Sequence, residues 1–447
     1  MKNKKTLVFP LGRHWVVLGA LATIFGVGKA RTAEHDWLSW RGSHQLGSSE
    51  TAVPPIRWSE TENVAWKTAI PGLGHSSPIV SEDLVVVTSA VPVGEKREPV
   101  QNPAEGAHDN FSVDSVHQFL VCAFDRSSGV LRWKTEVART FPHEGGHYTG
   151  SLSSHSVVTD GELFFASFGS RGLYALDRDG SIRWSKSFGQ MNTRHAHGEG
   201  SSPALMDGVL VINWDHEGQS RIYGLEAASG AIRWQQERKE MTSWSTPFIV
   251  SHDGAYQVIV SATERVRAYD LHSGRFIWEC AGLARNVVAS PVALDGVVVV
   301  GNSYDRQAMM AIRLKGASGD ITGTENVLWR TTRMTPYVPS PLIYNRKLYF
   351  LRHNQGVLSC LDPITGKTLQ GPFRLGGLRE IFASPVAADG RLYVVGRNGV
   401  TLVLGVGEAP QAMALNRLED QFSASPALTG KALILRGEKY LYCIGQP

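Results

Sequence analysis

Residues 194–199 read Arg194-His195-Ala196-His197-Gly198-Glu199. In an extended segment alternate side chains share a face, so His195, His197 and Glu199 would offer two imidazoles and a carboxylate to one side. Neutral imidazole and carboxylate suit Zn, Ni or Fe, which makes these three the candidate metal ligands. A second polar string, Asp215-His216-Glu217, follows. A His/Asp pair drawn from the two could do general acid–base work. The alternative is structural, since His-rich loops also hydrogen-bond to neighbouring backbone. A metal site needs three convergent ligands, and spacing alone leaves convergence open. A third use is binding. Trp214, Trp244, Tyr304 and Tyr337 offer flat aromatic faces, and His75, His147, Arg285, Asn286 and Arg379 offer polar contacts. Together with the acidic and His residues above, these would suit a sugar or a peptide.

The elements that must position these residues come from a repeat. Ser-Pro or Thr-Pro opens an apolar run at Ser77-Pro78, Ser202-Pro203, Thr246-Pro247, Ser290-Pro291, Ser340-Pro341, Ser384-Pro385 and Ser425-Pro426. A degenerate copy, Ser154-His155, is assigned to the one large gap. From Pro203 onward the Pro-to-Pro spacings are 44, 44, 50, 44 and 41. Asp-Gly turns follow at Asp160-Gly161, Asp207-Gly208, Asp253-Gly254, Asp295-Gly296 and Asp389-Gly390. Asp-Gly between apolar runs predicts tight hairpins with positive φ at both central residues. A third run leads to an acid, a Gly and then a Trp, as in AFDRSSGVLRW (residues 123–133) and GLEAASGAIRW (224–234). The copy ending at Trp329 is stretched by an insertion, and CLDPITGKTLQ has Gln370 where the Trp should stand.

Each unit therefore reads as four short antiparallel strands. Such a sheet cannot bury both faces alone, so the units must stack. The predicted fold is all-β, an eight-bladed β-propeller of four-stranded antiparallel blades. The last unit ends on its third strand at Tyr440–Cys443, so Asn63–Lys67, with Trp66 in the repeat position, should complete it and close the ring. The recurring Trp residues are expected to dock between blades rather than to serve a site. The predicted divisions are an export signal at 1–30, a lead-in at 31–56 and the propeller at 57–447. Three Lys precede the apolar stretch Trp15–Gly28, and small residues follow it. Cleavage there would leave no stable membrane span. Lys+Arg 45 against Asp+Glu 41 gives no basic footprint for nucleic acid. Four Cys are too few for a disulfide scaffold, and Cys122, Cys360 and Cys443 sit in apolar runs, where buried free thiols are expected.

The acid-x-x-Ser/Thr-Gly-x-x-x-Trp motif, from about Trp58 to the end, resembles the tryptophan-docking repeat of the quinoprotein (PQQ-like) β-propellers. The likeness is greatest to the non-enzymatic, BamB-like secreted members. That resemblance implies a secreted, non-catalytic binding or scaffold module of the periplasm or cell envelope. Its partner would be an envelope protein, a carbohydrate or a small polar ligand, held on the channel face. A PQQ-dependent oxidoreductase is the alternative the resemblance also allows, although the adjacent Cys-Cys pair of its alcohol dehydrogenases is absent. A metal-dependent enzyme built on His195, His197 and Glu199 is the third. In a propeller, the loops entering each innermost strand and those joining the second and third strands surround the channel on one face. Most of the polar residues above fall in these loops, as does the insertion 92–118 with His108 and Asp109.

Overall fold

A computed structural model describes residues 36–100 and 104–447; the expected export signal lies outside these residues. Eight blades, each built on four antiparallel strands, follow one another around a central channel; blade 4 carries a fifth, parallel strand. Blade 1 consists of Ile79–Ser81, Leu84–Val93, Val116–Asp125 and Leu131–Thr140. The first strand of each blade is innermost, where it neighbours the first strands of the adjoining blades. Among the described residues no helix is long and apolar enough to cross a membrane.

Closure follows the predicted scheme. Ala427–Thr429, Lys431–Arg436 and Tyr440–Gln446 form the first three strands of blade 8, and Val64–Ala69 supplies the fourth. Trp66 pairs with Cys443 and Thr68 with Leu441. Strands from the N-terminal and C-terminal parts of the chain thus share one sheet, which closes the ring of blades.

The Ser/Thr of the repeat has a physical reason. Each backbone N–H at this position donates to the hydroxyl of the next blade. The series runs Ser77 to Ser156, Ser156 to Ser202, Ser202 to Thr246, Thr246 to Ser290, Ser290 to Ser340, Ser340 to Ser384, Ser384 to Ser425, and Ser425 back to Ser77, at 2.9–3.1 Å. The eighth member is Ser156, so the degenerate copy is Ser156-Val157 rather than Ser154-His155. Ser154 instead bonds Ser151. The missing Pro hid the register.

The outer ring is held by the Trp residues. Indole Nε1 donates to a turn carbonyl of the next blade from Trp66 (Arg126), Trp133 (Arg178), Trp184 (Ala227), Trp234 (Leu271) and Trp329 (Pro363), at 2.8–3.0 Å. The motif Gly lies under the ring, where a Cβ would meet indole atoms at 2.4–2.7 Å in all five docks. Gln370 replaces the indole donor with its amide, which reaches Gly407 O at 2.9 Å. Trp278 departs from the pattern. It donates to Gln257 of its own blade, and the insertion strand Gly319–Asp320 pairs alongside it. Four of the five Asp-Gly turns have positive φ at both residues; Asp160 instead uses its carboxylate to cap the N–H groups of Glu162 and Leu163. All four Cys are buried and free, and burial pushes the Cys122 thiol up to about 11.

The lead-in crosses one end of the channel. Trp37 exchanges two backbone bonds with Val80, and Leu38 O accepts from Thr159 N. The Arg41 guanidinium reaches Pro341 O. Gln45 bonds Pro247 O and Ile249 N, Ser49 N donates to Ala387 O, and Val53 N to Gly430 O. These anchors lie at the inner ends of blades 1, 2, 4, 6, 7 and 8, so the segment spans the ring from side to side.

Candidate functional site

Above this plug lies a cavity of about 630 Å³. Trp40 contributes to its lining, with its Nε1 3.4 Å from Ser425 Oγ of the hydroxyl ring. The cavity therefore meets the plug at one end, and the channel loops form its other walls. Eight of the sequence-predicted residues line it: His75, His147, His197, Glu199, Trp244, Asn286, Tyr304 and Tyr337. Tyr337 stacks on His353 with ring centres 4.6 Å apart and planes at 17°, and Tyr304 lies 5.8 Å beyond. Burial beside Tyr304 raises the Tyr337 phenol well above its ordinary range, so it stays a neutral donor. Trp244 is fixed by its Nε1 bond to Gly198 O at 2.7 Å.

Six predicted residues lie off this wall. Trp214 is core, against Phe188 at 5.3 Å. Asp215 forms a fully buried bidentate pair with Arg238, at 2.8 and 3.0 Å, and takes a third bond from Ser243. His216 accepts N–H bonds from Asn192 and Gly218 through Nδ1. Arg285 is half exposed and reaches toward Asp305 at 4.0 Å. Arg379 lines a separate surface groove with Leu378 and Asn398. His195 sits beside the cavity under the insertion.

Glu199 does not join His195 and His197. Its carboxylate turns into the wall and takes bonds from Ser170 N and Oγ (2.8 and 2.6 Å) and from Arg171 (3.0 Å). Burial alone would raise its pKa, but Arg171 and Ser170 outweigh this and hold it below its ordinary value. The ligating atoms of Glu199, Glu144 and His143 lie within 4.8 Å of one another. Burial, with Glu199 adjacent, raises Glu144, which is bonded to Thr193. Those atoms are already engaged, because His143 Nε2 donates to Met191 O at 2.6 Å.

Sequence reasoning missed several residues. Trp40 gave only a weak signal, an aromatic in a lead-in without repeat character. Residues 143–147 spell His-Glu-Gly-Gly-His, a His-Glu-x-x-His string that binds zinc when a helix puts both imidazoles on one face. Here Gly146–His147 is a short strand paired with Asn110–Phe111. His143 and His147 consequently face different neighbours. His147 instead joins His108, His195 and His197. Ring centres are 4.8 Å apart for 147–197, 4.9 Å for 108–197, 5.0 Å for 108–195 and 5.4 Å for 195–197. Burial and the three neighbouring imidazoles push His197 down to about 4, so it is neutral at pH 7.

Comparison with known proteins places the whole. The family model described as outer membrane protein assembly factor BamB matches residues 117–371. The outer membrane protein assembly factor BamB of Yersinia pestis is 21% identical over 266 residues, 59% of this chain and 57% of that protein. The match thus spans little more than half of that relative's length. Among solved structures, BamB from Moraxella catarrhalis aligns over 80% of this chain and 97% of its own, with TM-score 0.52 and 14% identity. A quinohemoprotein alcohol dehydrogenase from Comamonas testosteroni aligns over 94% and 82%, with TM-score 0.59 and 10% identity. At these identities the structural likenesses establish the fold alone. With more than half of its length matched by the family model and every blade of the propeller in place, the chain belongs to the BamB family of PQQ-like β-propellers.

Proposed function

We propose that this chain is a non-catalytic binding and scaffold propeller of the cell envelope. Its channel-mouth cavity would hold a polar ligand, such as a carbohydrate, or a projecting segment of an envelope protein. The observation that carries this reading is the cavity itself. Trp40, Trp244, Tyr304 and Tyr337 line it with aromatic faces, and of the carboxylates at or near it Glu199 and Asp420 are spent on the walls, whereas Asp109 and Glu380 stay available to a ligand. Glu199 is bonded to Arg171 and Ser170, and Asp420 accepts from the N–H groups of Gln421, Glu438, Lys439 and Tyr440. A carboxylate so engaged positions loops and is poorly placed to move a substrate proton. Aromatic faces with a few fixed polar groups are the usual make-up of a binding site. Membership of a family described by an outer membrane assembly factor supports the envelope setting, as does the expected export signal at 1–30.

The quinoprotein alternative finds a poor fit. PQQ is a planar tricarboxylate, and among the described residues no Lys or Arg lines the cavity. The four Cys are buried in separate strands. The enzyme built on His195, His197 and Glu199 lacks support for the reason given above: Arg171 holds the carboxylate.

The test is a fluorescence titration of the purified chain with envelope oligosaccharides and with peptides from outer-membrane proteins. Saturable quenching that weakens at least about tenfold in Trp244→Ala and Tyr337→Ala supports the reading. Equal affinity in wild type and both variants would remove the cavity as the site. Turnover of an alcohol or sugar with added PQQ would overturn the non-catalytic assignment.

A further inference from the structure

The four histidines beside the cavity mouth come from three chain segments, yet the main chain ties them together. Asn110 Nδ2 donates to His195 O at 2.8 Å, His147 N to His197 O at 3.1 Å, and Tyr148 N to Asp109 O at 2.7 Å. His195, Ala196 and Asp109 all have φ of 52–54°, the left-handed conformation that holds these turns of chain in place.

Three of the rings form a closed triangle. His108, His195 and His197 have centre-to-centre distances of 4.9, 5.0 and 5.4 Å. Three imidazoles on a tetrahedral ion, with metal–nitrogen bonds of about 2.0–2.1 Å, place their ring centres about 5 Å apart. Each ring is also anchored through one nitrogen. His195 Nδ1 donates to Glu105 O at 3.2 Å, and His197 Nε2 to His108 O at 3.2 Å. His108 Nδ1 lies 3.2 Å from the Asp109 carboxylate. Metal-bound imidazoles have their second nitrogen held by a carbonyl or carboxylate, and partners of that kind are at hand here, to be re-formed once the rings turn. The nitrogens left over are His108 Nε2, His197 Nδ1 and His195 Nε2. Among the described residues only the last has a hydrogen-bond partner, the Arg194 Nε–H at 3.2 Å.

We propose that His108, His195 and His197 form a binding site for a divalent first-row transition ion such as Zn²⁺, Ni²⁺ or Cu²⁺. The rings, not yet their free nitrogens, stand at ligating separation. Ring rotation closes the site, and the ion displaces the Arg194 N–H. It would join the insertion of blade 1 to the segment entering blade 3. This site differs from the set read from local spacing, because His108 takes the place of Glu199. The inference stands apart from the cavity ligand, so either can fail alone.

The test is calorimetric titration of the chelator-treated full chain with Zn²⁺, paired with Co²⁺ as a spectroscopic probe. One ion per chain and the intense visible bands of tetrahedral Co²⁺ are expected. Loss of a partner that merely orients a ligand costs 10–100-fold in affinity. His108→Ala or His197→Ala, which remove a ligand, should therefore weaken binding at least about 100-fold. His353→Asn, elsewhere on the cavity wall, should leave it unchanged. His108 is exposed and His197 partly buried, and unchanged circular dichroism would show both variants folded. No binding, or wild-type affinity in His108→Ala, overturns the proposal. So does loss of binding in Glu144→Gln alone, which would move the ion to the His143, Glu144 and Glu199 group.

Discussion

Replacing Gly274 by Ala tests the outer ring quantitatively. Gly274 has φ +68°, and an added Cβ would lie 2.4, 2.5 and 2.7 Å from Cδ2, Cε3 and Cγ of Trp234. Two costs follow. Alanine in the left-handed region loses about 1–2 kcal/mol. The contact is with the fused body of a buried ring, so the indole must move; overpacking of this kind costs about 1–3 kcal/mol. Movement also stretches the 2.8 Å bond from Trp234 Nε1 to Leu271 O, worth about 1 kcal/mol net. Gly274→Ala should destabilise by roughly 2–6 kcal/mol, the upper end if the bond is lost. Gly316 is the matched control, with φ +75° and no atom within 4 Å of its added Cβ. Gly316→Ala should then cost only the backbone share, about 1–2 kcal/mol. Urea unfolding midpoints with matched slopes would measure both. In a Trp234→Ala background the two Gly substitutions should converge, because the clash has been removed. Equal losses for Gly274→Ala and Gly316→Ala in the wild-type background would refute the docking argument.

Three further outcomes are expected. Ser290→Ala leaves the buried Thr246 N–H unpaired, which costs about 1–3 kcal/mol; Ser290→Thr should restore stability in the same urea assay, because Thr246 already serves this role in the ring. Burial holds His155 down to about 4 against an ordinary 6.5, so its contribution is complete above about pH 6.5 and is lost as pH falls toward 4. That loss is on the order of 3 kcal/mol, and His155→Gln should flatten that part of a urea-midpoint profile between pH 7 and 4.5; a variant with the wild-type slope would defeat the assignment. Glu199→Gln strands the buried Arg171 guanidinium and should lower stability by about 3–5 kcal/mol, with a drop in melting temperature as the readout.

The blades were legible because their determinants are local. A Ser or Thr before each inner strand, Asp-Gly at the hairpin and Gly four residues before Trp each act within one unit or on its neighbour, and repetition exposes them. Even the closing strand could be placed, since Trp66 carries the same docking group as the interior blades. The register failed at Ser154, where Pro is absent and only the hydrogen bond from Ser156 to Ser202 marks the position. Trp278 has the same local spacing, with Gly274 four residues before it, yet the insertion strand beside it turns its indole to its own blade.

The site was legible only as a set of loops. Sequence placed His147, His197, Trp244 and Tyr337 on the channel face, because ring topology assigns loops to faces. It could not assign partners across the ring. Glu199 stands two residues from His197 in the chain, yet its charge is settled by Arg171 in the preceding loop. His108 meets His195 across 87 residues of sequence because Asn110 binds His195 O. Trp40 reaches the cavity because the lead-in threads the ring. The repeat alone determined how many blades form and how they close, since each blade is specified by short-range pattern. Which side chains converge in the channel was decided only by tertiary structure, since convergence depends on long-range geometry that no local spacing encodes.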